Sequence, residues 1–118
     1  MESVSFINCD DDGTDQIVSF ALAYGDMEIK SLTLLRTPKF EAMLDEAERG
    51  VSVSMEAKTV DDFEALAVVS IKSNLVTIET QASRYELDIS RVDPTEVSEM
   101  KALIERMNFD HKFAIEYR

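Results

Sequence analysis

The chain has 118 residues, 45% of them apolar, with twenty-four Asp and Glu against twelve Lys and Arg and a net charge of −12. Phosphate backbones and anionic lipid surfaces repel such a surface, so nucleic acid and membrane are not its expected partners; its charge is of the sign that attracts a cationic protein or a divalent cation. The apolar share is too high for a disordered acidic tail, and no apolar run approaches the roughly 20 residues of a transmembrane helix.

This length predicts a single domain, residues 1–118, that buries roughly two-thirds of its unfolded surface. Met1-Glu2-Ser3 lacks the basic and apolar stretches of a secretory signal, and the expected compartment is the cytoplasm. The lone Cys9 excludes an internal disulfide and suits a reducing compartment. Asp10 beside it disfavours the thiolate, which reads as a structural cysteine. Residues 1–60 carry 12 acids and 5 bases and residues 61–118 carry 12 and 7, so the two parts stand at −7 and −5. The acidity is therefore a property of the whole surface, with no acidic tail and no basic arm.

Val4-Ser5-Phe6-Ile7 predicts a first strand, broken by the turn residues Asp10-Asp11-Asp12-Gly13. From Gln16 to Tyr24, Val18, Phe20, Leu22 and Tyr24 alternate onto one face, a period-two strand. Gly25-Asp26 connects it to a strand from Met27 to Leu35, where a bulge near Lys30-Ser31 would bring Ile29 into phase with Leu32 and Leu34. Thr37-Pro38 then predicts a capped helix closed by Gly50. Its apolar face is Phe40, Met43, Leu44 and Ala47, with Glu41, Asp45, Glu46 and Glu48 facing out. Further strands follow at residues 51–56, 65–71, 75–80 and 85–89, and Thr59 to Phe63 reads as a polar break or a helix start. Asp93-Pro94-Thr95-Glu96 is the clearest local signal. Asp93 caps a helix, and Glu96 is positioned to reach back to the cap N–H. Val97, Met100, Leu103, Ile104 and Met107 form its apolar stripe, and Asn108 suits a left-handed end. Phe113, Ile115 and Tyr117 alternate in a last strand. The expected fold is α+β: a mostly antiparallel sheet of about six to eight strands, with two amphipathic helices packed on one face.

No motif carries chemistry on its own. Asn8 to Gly13 opens like a calcium loop, but Ser19 stands where a bidentate Glu is required and the flanks read as strands. No metal site is expected, and no cofactor. His111 is the single histidine, with no nucleophile placed beside it by a local motif. One Cys and one His do not close a protein-only zinc site, and the Gly-rich phosphate loops are absent. Carboxylate pairs such as Asp61-Asp62 arise readily by chance among so many acids. Arg36 and Lys39 offer an anion contact at a helix start, or pair with nearby acids, which the surplus of acids favours.

The expected function is thus a non-enzymatic protein-binding module. Its concrete form is an acidic immunity or inhibitor protein that neutralises a basic toxin or nuclease. The expected partner-binding acids are Asp10, Asp11, Asp12 and Asp15 in the first turn and Glu41, Asp45, Glu46 and Glu48 on the first helix. Two other classes fit the composition. One is a small-molecule binder or enzyme, with a cavity between sheet and helices near His111, Tyr24 or Tyr85; the other is a self-associating structural protein, and both monomer and homodimer are compatible with the chain.

Overall fold

A computed structural model describes residues 1–24, 28–46, 49–56 and 64–117. Eight strands form one mixed sheet: β1 (Glu2–Asp11), β2 (Gln16–Tyr24), β3 (Glu28–Arg36), β4 (Ser52–Met55), β5 (Val68–Lys72), β6 (Leu75–Glu79), β7 (Arg84–Asp88) and β8 (Ala114–Tyr117). Their order is β4-β3-β2-β1-β7-β6-β5-β8. Two antiparallel meanders, β1 to β4 and β5 to β7, meet at a parallel pairing of β1 with β7. β8 joins β5 in parallel, after the crossover through the helix α1 (Pro94–Met107). The sheet also curls back on itself. Val53 N–H donates to Glu64 O at 2.9 Å and Leu66 N–H to Val51 O at 2.8 Å, flanking a Ser52–Ala65 bridge. The segment leading into β5 therefore lies on the outer edge of β4.

The α+β expectation holds in this coarser form, with parallel as well as antiparallel pairs and one main helix. Period-two patterning explains the strands. Val18, Phe20 and Leu22 are fully buried, as are Leu32 and Leu34 facing them. One apolar cluster runs through the sheet interior to Met100, Leu103, Ile104 and Met107 of α1. The helix begins as expected, with Asp93 Oδ1 accepting from Thr95 N–H at 2.8 Å. No helix among the described residues is long and apolar enough to cross a membrane.

Four local expectations need correction. The β2–β3 register runs without a shift from Gln16–Arg36 to Tyr24–Glu28, so the strand has no bulge at Lys30-Ser31. Ile29 simply faces out, 54% exposed, and the irregularity lies in β1 between Val4 and Phe6. Asn108 is not left-handed (φ −97°); beyond this helix end the left-handed backbone is at His111 (φ 56°). Glu96 does not close a capping box, because its Oε1 accepts the Ile7 N–H of β1 at 2.8 Å. The largest departure is the first helix. Residues 37–49 contain a 3-10 turn, Pro38–Met43, in which Phe40 and Met43 are 48% and 82% exposed. Leu44 beyond it is extended and also exposed. The expected Gly25-Asp26 connection, Ala47, Glu48 and the stretch Thr59 to Phe63 with its Asp61-Asp62 pair lie outside the described residues.

Candidate functional site

The reason for that departure is Arg36. It ends β3 in phase with Leu32 and Leu34, so the strand turns it inward, and it is 1% exposed. A guanidinium has five N–H donors, and all five have acceptors here. Nε and one Nη2 bond reach Glu41 Oε2 and Oε1 at 2.7 and 2.8 Å. The other Nη2 bond and one from Nη1 reach Asp110 Oδ2 and Oδ1 at 2.7 and 2.9 Å. The last Nη1 hydrogen goes to the Met107 carbonyl, at 2.7 Å, on the final turn of α1. Phe109 stacks on the cation at 4.1 Å from its ring centre. Two planar forks thus grip one charge, which is the strong form of the ion pair.

Burial works against the charge on Arg36, but the hydrogen bonds to Asp110 and Glu41 outweigh it and hold the guanidinium above its ordinary range. The Arg36 hydrogen bonds in turn hold the Glu41 and Asp110 carboxyls below theirs. This cluster ties β3, the 3-10 turn and the end of α1 together. It also draws Glu41 inward, which turns Phe40 and Met43 toward solvent. An outward-facing Glu41 is therefore a misreading, whereas the favoured reading of Arg36, pairing with acids, holds, and it leaves no donor for an anion contact.

The same end of the sheet carries the first turn. Asp12 Oδ1 accepts from Thr14 and Asp15 N–H at 2.9 and 2.8 Å. Those bonds, Asp15 first, hold the Asp12 carboxyl below its usual range. Asp11 accepts from Gly13 N–H at 3.3 Å and pairs with Arg106 of α1 at 3.4 Å. Gly13 occupies the left-handed region (φ 86°), where a side chain would be strained. Thr37 does not cap a helix; its hydroxyl donates to Asp15 Oδ1 at 2.7 Å and joins this turn to the start of the 3-10 segment. The two acid groups read from the sequence are thus brought to one pole of the molecule. Asp10, Asp11, Asp12, Asp45 and Glu46 are exposed there, Asp15 is half-buried, and Glu48 lies outside the described residues. Asp110 and the buried role of Arg36 were not anticipated, although the inward phase of Leu32, Leu34 and Arg36 signals the second.

Exposed apolar groups share this pole. Phe40, Met43, Leu44, Leu35 and Phe109 are all more than a third exposed. An open groove of about 310 Å³ is lined by Leu35, Leu44, Gly50 and Ser52 together with Arg36, Thr37 and Glu41. His111 is exposed and is not among the residues lining the groove that holds Cys9. No group of three or more His, Cys, Asp or Glu placed to hold a metal ion occurs among the described residues. No protein-family model, no curated protein and no solved structure matches this chain.

Proposed function

We propose that this protein is a non-enzymatic binding module that acts on a basic protein, in the manner of an immunity or inhibitor protein covering a cationic toxin or nuclease. One observation carries the reading: apolar side chains stand exposed inside an acidic pole built on a rigid ion cluster. Met43 at 82%, Phe109 at 56% and Phe40 at 48% exposure are costly to leave in water unless something covers them. Interfaces combine such an apolar centre with a charged rim. Here the rim is Asp10, Asp12, Asp45 and Glu46, all exposed. Mutual attraction with a cationic surface speeds encounter, and the apolar centre then slows release.

The test is a binding titration against basic proteins captured on the immobilised chain, read by association and dissociation rates at low and at half-molar salt. Association is expected to slow at least about tenfold at high salt. Reversing Asp10, Asp12, Asp45 and Glu46 to Lys together is expected to slow it comparably at low salt. Capture of partners whose association ignores both changes would defeat the proposal.

A further inference from the structure

Among the described residues, no strand pairs with the β7 side of β1 once β7 departs. β7 runs beside β1 only at Glu2 and Ser3. In an antiparallel pair the backbone groups of alternate residues point toward and away from the partner strand. Ile7 N–H points away from β2, since it donates to Glu96. Alternation turns Cys9 and Asp11 the same way, while Asn8 and Asp10 face β2. The Asp12 N–H bond to Asp15 O, at 3.3 Å, continues the second set and confirms the phase.

Helix α1 runs alongside this edge. Glu96 meets Ile7, and Arg106 meets Asp11. Ten helical residues span about 15 Å and four strand residues about 13 Å, so the two run nearly in step. Between the two ties lies a groove of about 380 Å³, lined on the helix side by Glu99, Ala102 and Arg106 and on the strand side by Cys9, Asp10 and Asp11. Three carboxylates face one cation. The Cys9 thiol registers the surroundings: burial first, then Glu99 and Glu96, push it up to about 11 against the pull of Arg106. An unpaired strand edge in such a groove is a template for an added strand.

We propose that the Cys9–Asp11 edge of β1 receives a short extended segment of the basic partner, which adds to β1 as a strand and sets Lys or Arg side chains against Asp10 and Glu99. The inference rests on the basic-partner reading above and adds the mode of contact. Main-chain bonds supply the grip and the carboxylates select the sequence. Entry displaces the Arg106–Asp11 pair, long at 3.4 Å and with Arg106 more than half exposed, the kind of surface pair that contributes little.

The experiment is amide exchange and a chemical-shift titration by NMR, with the synthetic peptide acetyl-Lys-Val-Lys-Val-Lys-amide at up to millimolar concentration. In the free protein the Cys9 and Asp11 amides are expected to exchange at least about tenfold faster than those of Asn8 and Asp10. The peptide is expected to shift and protect Cys9 and Asp11. Ala102→Trp, at an exposed helical position in the groove, is expected to abolish both effects. Equal exchange across the four amides, or no peptide effect at these residues, overturns the inference. So does undiminished binding by Ala102→Trp, or by a peptide whose amides are N-methylated. That last pair of results would leave the acidic-surface reading standing, since salt-sensitive attraction would persist without strand pairing. The acidic-surface reading fails separately, on the salt and charge-reversal rates of whole basic proteins.

Discussion

Replacing Arg36 by Met tests the ion cluster on which the pole is built. Met keeps apolar volume but removes five donors at once, leaving Glu41, Asp110 and the Met107 carbonyl without their partner. Breaking a buried pair by removing one member costs about 3–5 kcal/mol. The Asp110 side chain is 31% exposed and recovers water, whereas that of Glu41 is 12% exposed and does not, which places the cost near the lower end, about 3 kcal/mol. For a chain of this size that lowers Tm by roughly 12 °C. The pH dependence follows from the carboxyls. Both sit below their ordinary values in the folded state, held there by Arg36. Their contribution to stability is therefore present above the unfolded values, near pH 4, and is lost as the pH falls through the lower folded values. In Arg36→Met the two carboxylates face each other without a cation, so acid relieves repulsion. Urea unfolding followed by far-UV circular dichroism should give a difference of about 3 kcal/mol near pH 7 that shrinks progressively as the pH falls below about 4. Arg36→Lys keeps the charge with three donors and is expected to fall about midway. A variant within about 1 kcal/mol of the parent near pH 7, or a difference that does not change with pH, would refute the argument.

Other consequences can be measured directly. Glu96→Ala leaves the Ile7 N–H without its acceptor and is expected to destabilise by about 1.5–3 kcal/mol in urea, with Glu96→Gln costing less because an amide oxygen still accepts. The Cys9 thiol, pushed up to about 11, is expected to react with iodoacetamide near neutral pH about a hundredfold more slowly than a free thiol. Glu99→Gln should narrow that gap. Met43→Ala and Phe40→Ala remove exposed side chains, so unfolding should shift by less than about 0.5 kcal/mol while partner dissociation quickens.

The strands were legible because period-two alternation is a direct consequence of one buried face. β2 spans the same residues, Gln16 to Tyr24, in sequence and structure, and α1 starts at the Pro94 that its cap announces. What escaped were the places where a polar group is captured from far along the chain. Glu96 is a capping-box residue by spacing, yet its partner lies 89 residues away on a strand edge bared by β7. Glu41 belongs to the solvent side of a helix by periodicity. A guanidinium five residues earlier, fixed inward by the phase of β3, draws it into the interior and leaves the apolar stripe outside. The Phe40-Met43-Leu44 pattern is therefore sound as periodicity and wrong as burial. The sheet and α1 already enclose a filled core, so a second apolar stripe had no face to cover. Local pattern also carries no information on Asp110, which reaches Arg36 across 74 residues.

The acids that look equivalent in composition thus divide by what they already hold. Glu41 and Asp110 are structural: reversing either would set two cations against each other and unfold the pole. Asp15 is half-buried and holds the Thr37 hydroxyl, while Asp12 fixes the first turn through backbone bonds and stays exposed in the charged rim. Asp10, Asp45 and Glu46 are exposed, and in the proposed reading it is their field that acts on a partner at a distance. A charge-reversal scan read by binding alone would rank Glu41 highest, because the variant would lose the fold that presents every other contact. Read together with unfolding, the order inverts. Glu41→Lys loses stability and binding in step, whereas Asp45→Lys and Glu46→Lys lose association rate at unchanged stability. The same division explains why net charge by itself is a poor guide to a binding face: a carboxylate steers a partner only to the extent that its own fold has left it unanswered.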